Sequence, residues 1–272
     1  MKKMPIDTQS LATTIRRSSL KMVHRANASH IGSALSIADI VAVLYGMILK
    51  IDPKQPRLDS RDRFILSKGH ACVAVYSALA ARGFFPEEDL KSYAKDNSDM
   101  MSHISHKVPG VEFSTGSLGH GLSFGAGKSL AAFKMKKSWK TFVLLSDGEL
   151  NEGSIWEAMM FASHHRLDNL IAIVDYNKLQ SLATVDETLR IEPLADKARA
   201  FGWAPKEVDG HNHVLMRELL ANTPWENGKP SFLIAHTTKG KGVSFMENKV
   251  EWHYKSPSAE QLTAALEELN HA

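Results

Sequence analysis

One cysteine, Cys72, stands among the 272 residues, so no internal disulfide can form and nothing marks an oxidising compartment. Long apolar runs are missing too. The longest, residues 40–49, is about half of a membrane span. The opening MKKMPIDTQS has two lysines with no apolar stretch behind them, which excludes a secretory signal there. An excess of one charge is also lacking. The 33 basic and 30 acidic residues leave +3, too even to argue for nucleic acid or a membrane surface as partner. Repeats, low-complexity tracts and linkers are not found, so residues 1–272 are expected to form a single domain, in the cytoplasm.

What the chain does have is an ordinary globular composition, 43% hydrophobic and 23% charged, and a regular alternation of elements. Apolar spacing predicts helices over 8–26 and 36–49, with Ser33 and Ser36 as starting residues for the second. RDRFILS (61–67) predicts a strand, and 70–82 a helix stopped by Gly83. A Gly-rich loop at 116–121 opens a helix reaching about residue 137. There follow TFVLLS (141–146), a helix over 153–165, LIAIVDY (170–176) and a helix over 193–201. A short strand near Glu207, a helix over 212–222, SFLIAHT (231–237) and an amphipathic helix over 259–270 complete the series. The apolar runs are short and rich in Val, Ile and Leu, as strands buried on both faces require. The expected fold class is α/β, a mostly parallel sheet with helices on both faces.

The sharpest chemical signal is TFVLLSDGELNEG followed by LIAIVDYNKLQS. Asp147 lies just past one expected strand and Asn177 just past the next, thirty positions later. Ligands of open α/β sheets bind beyond the carboxyl ends of strands, and consecutive strands are usually neighbours, so the two side chains can converge. A carboxylate with an amide oxygen suits Mg²⁺, which takes one or two protein ligands plus phosphate oxygens. Gly148, without a side chain, lets its N–H approach a phosphate, and the following helix would turn its positive end to that anion. Taken alone, Asp147 is better explained as a cap of that helix, and it is the combination with Asn177 at this spacing that points to the metal.

Two other glycine patterns fail their tests. GAGKS (125–129) has Leu122 where a phosphate-binding loop needs its first Gly, and GHG (119–121) has Phe124 where a dinucleotide fingerprint needs its last. The Trp156, Met159, Met160 and Phe161 cluster has helical spacing and is expected to be core or subunit interface.

The Asp147–Gly148…Asn177 pattern resembles the thiamine-diphosphate enzymes, whose GDG…N motif differs here only by Ser146 at its first position. The resemblance implies thiamine diphosphate and Mg²⁺ (with Ca²⁺ or Mn²⁺ as substitutes), held by Asp147, Asn177 and the Leu179 carbonyl. Gly148 and Asn177 would also touch the cofactor. Further segments resemble transketolase in particular: ASHIGSALSIADI (28–40), RDRFILSKGHACVAVYSAL (61–79), SHISHKVPGVEFSTGSLGHGLS (102–123) and SFMENKVEWHYKSPS (244–258). They imply a diphosphate-binding His70, an aminopyrimidine-supporting Gly116, Ser117 and Leu118, and substrate-pocket histidines His30, His103 and His253. His106 competes with His103, and His253 would also contact the cofactor. The remaining histidines singled out (His164, His165, His211, His213, His236 and His271) are read as structural or solvated.

Transketolases move a two-carbon ketol unit between ketose and aldose phosphates, and a second domain supplies the glutamate that activates the cofactor. Nothing in these 272 residues resembles that second domain, and Glu152 matches an acidic position near the subunit contact instead. The resemblance therefore implies a separate C-terminal partner chain, an α₂β₂ assembly and phosphorylated sugar substrates. Other thiamine-diphosphate enzymes, such as a 2-oxo-acid dehydrogenase α subunit or deoxyxylulose-phosphate synthase, share the Asp–Asn pair but are not expected to carry all the histidine segments. A non-catalytic cofactor-binding subunit is the alternative of a different class.

Overall fold

The computed structural model describes residues 6–270; His271 lies outside them. Five strands form one parallel sheet: β1 (Arg63–Leu66), β2 (Thr141–Ser146), β3 (Leu170–Tyr176), β4 (Ala204–Asp209) and β5 (Ser231–His236), in the order β1-β2-β3-β5-β4. Every residue of β1, β2 and β3 is buried. Phe142, Leu144, Ile171 and Ile173 face one core, while Val143, Leu145, Leu170 and Ala172 face the other, which is the period-two alternation of a sheet covered on both sides.

The first core is closed by α1 (Thr8–Ala26), α2 (Ile31–Ser36), α3 (Ala38–Val43), α4 (Cys72–Ala81), α9 (His213–Ala221) and α10 (Ala259–Glu268). The second is closed by α5 (Gly121–Lys134), α6 (Gly153–His164) and α8 (Leu194–Ala200); a short α7 (Val185–Thr188) sits between β3 and α8. Local chemistry fixes several of these boundaries. Asp7 caps α1 through Gln9 N, and Ser258 with Gln261 forms a capping box on α10. GAGKS lies inside α5, with Lys128 paired to Glu112 at 3.2 Å, so it is helix interior and not a phosphate loop. Among the described residues no helix is long and apolar enough to cross a membrane.

One expectation is corrected. The helix expected over 36–49 begins earlier, at Ile31. It breaks at Ile37 (φ −95°, ψ 0°), and passes into a π-helical turn at Leu44–Ile48. Ser36 does not start a helix because its hydroxyl is committed to Asp175 on β3. The helix expected over 153–165 is present as α6 from Gly153, and Gly148–Asn151 forms a single 3₁₀ turn between Asp147 and it.

Candidate functional site

Strands β2 and β3 pair with Ser146 opposite Asp175, so their C-terminal tips deliver Asp147 and Asn177 side by side. The Asp147 Oδ2 accepts from the Lys178 N–H at 2.6 Å and Oδ1 from the Gly148 N–H at 2.8 Å. Asn177 Oδ1 accepts from the Leu179 N–H at 3.1 Å. Both side chains line one cleft of about 240 Å³, with Ser33, His70, Leu118, Gly148, Leu179 and Lys239. The expected convergence is present. The cap role is present too, but the Gly148 N–H it uses belongs to a 3₁₀ turn, so no α-helix N-terminus stands directly behind that glycine. A Cβ at Gly148 would come within 3.2 Å of Gln180, which keeps this wall of the cleft bare.

Residues missed by the sequence reading hold this geometry. Asp175, fully buried at the end of β3, accepts from Ser36 and Thr237 on Oδ1, and from Lys68 Nζ (2.5 Å) and Asn177 Nδ2 (2.9 Å) on Oδ2. The bond to Nδ2 fixes which end of the Asn177 amide is oxygen. Burial alone would raise the Asp175 carboxyl, but Lys68 and the hydroxyls outweigh it and hold it below its usual range. One signal was available: an aspartate inside the otherwise apolar run LIAIVDY has to find a cation or donors.

The cleft carries two buried charges of opposite sign that, among the described residues, lack a direct ionic partner. Burial, then the Asp175 charge, pushes the Asp147 carboxyl up to about 7. Burial, then Lys68, lowers the Lys239 ammonium to about 8. Lys239 Nζ donates to the carbonyls of Leu179 (3.0 Å) and Gln180 (2.8 Å) and to His253 Nδ1 (3.0 Å). The Leu179 carbonyl thus already has a donor in this chain. Among the described residues there is no cluster of three His, Cys, Asp or Glu that could hold a metal. A cation here would be held by one carboxylate, an amide oxygen and a carbonyl, the sparse oxygen set that Mg²⁺ shares with phosphates. An anion beside that cation would meet Lys239 and His70. The donor set therefore fits a divalent cation with a diphosphate.

His30, His70, His103 and His253 form one cluster, with ring centroids 5.0–5.8 Å from His30 to each of the other three, and His70 and His253 of it line the cleft. His106 instead turns its ring to Ser114 Oγ at 2.6 Å, so the geometry favours His103 of the two competitors. Gly116 and Ser117 are exposed on their loop, whereas Leu118 lines the cleft. His211 and His213 bond Asp39, and His236 bonds Glu207, all as structural pairs. His164 and His165 end α6 against each other, where Met160 and Phe161 are exposed while Met159 is core.

Burial depresses all four clustered rings, joined by neighbouring imidazoles and lysines at His30, His70 and His253, and it brings His30 to about 4 and His253 to about 3. They are neutral at pH 7. Because Lys239 donates to His253 Nδ1, that ring carries its proton on Nε2. Below pH 6.5 the unfolded chain takes up protons that the folded cluster refuses, so the cluster's own contribution to stability should fall as pH drops from 6.5 towards 4. Replacing His30 by Asn, which tolerates the φ of 76° at that position, should remove up to about one proton from this linkage. Urea midpoints of both chains at pH 7, 6 and 5 measure it, and parallel pH dependences would exclude the idea.

Comparison with known proteins adds four findings. The family profile described as "Transketolase, thiamine diphosphate binding domain" matches residues 7–270. One subunit of the apulose-4-phosphate transketolase of Phocaeicola vulgatus is 41% identical over 268 residues, 98% of this chain and 95% of its own. The 6-deoxy-6-sulfo-D-fructose transketolase subunit SqwG of a Clostridium species is 40% identical over 270 residues, 99% and 98% of the two chains. Among solved structures, transketolase from Leishmania mexicana superposes with a TM-score of 0.92 at 28% identity. It is matched over 97% of this chain, which spans 41% of that longer one.

Proposed function

This chain belongs to the transketolase thiamine-diphosphate-binding family, and from that premise we propose that it is the cofactor-binding subunit of a two-chain transketolase. It transfers a two-carbon ketol unit between ketose and aldose phosphates in the cytoplasm. The observation that carries this reading is the meeting of Asp147 and Asn177 at adjacent strand tips, beside an ammonium and an imidazole suited to a diphosphate. Relatives of about the same length bear the names of transketolase subunits, which supports a C-terminal partner chain, and an α₂β₂ assembly is proposed with it. The exposed Gly116 and Ser117 and the apolar Met160 and Phe161 on α6 leave surface for such chains to cover.

In this reading Asp147, Asn177 and the Leu179 carbonyl hold Mg²⁺, for which Ca²⁺ or Mn²⁺ can substitute. Lys239 then shares its charge between that carbonyl and the diphosphate. His70, His253 and Gly148 approach the diphosphate, and Gly116, Ser117 and Leu118 support the aminopyrimidine. Bound thiamine diphosphate supplies a carbon nucleophile and afterwards stores the electron pair of the cleaved bond. The partner's glutamate would activate it. The chain's own catalytic task falls to His30, His103 and His253: neutral rings, they donate to and accept from donor hydroxyls and carry protons at the reacting carbonyl. Their low proton affinity suits them to release those protons again.

The experiment mixes this chain, its candidate partner, thiamine diphosphate and Mg²⁺, and follows ketol transfer from a ketose phosphate to an aldose phosphate. Activity is expected only from the pair. Full activity of this chain alone would refute the two-chain arrangement. Activity of the partner alone would leave this chain in a non-catalytic role, and turnover of pyruvate instead would reassign the branch.

A further inference from the structure

Glu149 is fully buried two residues past Asp147, and every hydrogen bond it receives comes from a neutral donor. Its Oε1 accepts from the Ser67 hydroxyl, at the tip of β1, and from the Gly119 N–H at 2.8 Å. Its Oε2 accepts from the Ser146 N–H at 3.3 Å, at the tip of β2. Ser67 Oγ in turn accepts from the Gly121 N–H at 3.1 Å. From the other side, Ser154 Oγ donates to the Gly119 carbonyl at 2.8 Å, so Gly119 is held at both its polar atoms. Packing closes the gaps that remain. A Cβ at Gly119 would lie 2.5 Å from Ser154 Oγ, and one at Gly121 would lie 2.3 Å from Ser67 Oγ.

A buried carboxylate is costly, and mere filling of this space would not require one. What it alone offers is acceptor capacity on both oxygens at once, with no proton to present to a facing N–H. The N–H groups it collects come from two different chain segments: the 146–148 turn, proposed to hold metal and diphosphate, and the 116–121 loop, proposed to support the aminopyrimidine. Their separation is therefore set through one side chain.

Resting on the function proposed above, we infer that Glu149 is a positioning residue that locks the ring-supporting loop in register with the diphosphate turn. The two ends of thiamine diphosphate are then recognised by one rigid frame. Glu149→Gln keeps the volume but turns an amide N–H₂ towards one of the three donors, and the loop loses its anchor while Asp147 and Asn177 are untouched.

The test is calorimetric titration of the full chain with Mg²⁺ and either thiamine diphosphate or inorganic pyrophosphate. In Glu149→Gln, pyrophosphate affinity should stay within about twofold, while thiamine diphosphate affinity should fall about tenfold, so the ratio of the two drops. Ser154→Ala, which loosens the other side of the same loop, should lower the ratio in the same direction by a smaller factor and carries the test if the glutamine variant fails to fold. A ratio unchanged in folded variants would overturn the inference, as would a wild-type chain that binds the two ligands equally well. A wild-type chain that binds neither, even with the candidate partner present, would overturn the cofactor reading itself.

Discussion

Replacing Asp147 by alanine is expected to lower the affinity for thiamine diphosphate with Mg²⁺ by about 100-fold or more, which corresponds to about 2.7 kcal/mol. The side chain is almost wholly buried, lies against two main-chain N–H groups, and among the described residues has no cationic side chain bonded to it. Burial and the neighbouring Asp175 hold its carboxyl up at about 7. A raised carboxyl destabilises the fold when ionised: between its unfolded range near 4 and about 7 the folded chain binds the extra proton, so the contribution of Asp147 to stability rises as pH falls through that window, opposite in sign to that of the histidine cluster. A divalent cation reverses this by compensating the charge. Asp147→Asn should therefore separate the two effects. Without ligand at pH 7.5 its thermal midpoint should match or exceed that of the parent, whereas the upward shift produced by cofactor and Mg²⁺ should largely vanish. Thermal scans with and without ligand decide it. An asparagine variant that keeps the full ligand-induced shift would remove Asp147 from the metal site.

The elements that the sequence made legible are those with one dominant periodic signal. TFVLLS and LIAIVDY fall on β2 and β3 residue for residue, because a continuous Val, Ile and Leu run bounded by polar residues has few other ways to be buried. Adjacency of Asp147 and Asn177 followed from strand order in the chain, and the β2–β3 pairing bears it out. The break at Ile37 was not legible, because it depends on Ser36 reaching Asp175 across 139 positions. Lys68, Lys239 and Glu149 were missed for a related reason. A charged residue in a sequence reads as surface until its partners are known, and their partners lie 107, 60 and 30 positions away. Local spacing reveals the tips of strands; the buried polar frame behind them is assembled only by the tertiary fold.

That frame extends away from the cleft to Asp39 on α3, whose removal should have the largest effect on stability. Asp39 is buried and receives Arg16 in two-pronged fashion (3.1 and 2.5 Å), His211 Nδ1 at 2.6 Å and His213 Nε2 at 2.9 Å. Burial alone would raise its carboxyl, but the two imidazoles and Arg16 pull it far below the usual range. Its contribution is thus constant above pH 4 and lost only in stronger acid. The cluster also grips the segment that presents Lys239. Arg16 Nε donates to the Lys241 carbonyl at 2.9 Å, and His211 Nε2 accepts from the Thr238 N–H at 2.9 Å. Asp39→Ala strands a buried guanidinium, which costs about 3–5 kcal/mol. With the usual conversion for a chain of this size, the thermal midpoint should fall by about 6–20 °C. Adding Arg16→Met to that variant removes the stranded charge, so the double variant should recover part of the loss, a sign opposite to that of two independent defects. Thermal scans of the single and double variants above pH 6 measure both effects. A double variant less stable than Asp39→Ala alone would mean that Arg16 contributes chiefly through the Lys241 carbonyl and its packing, and that the ion pair is not what holds this corner of the fold.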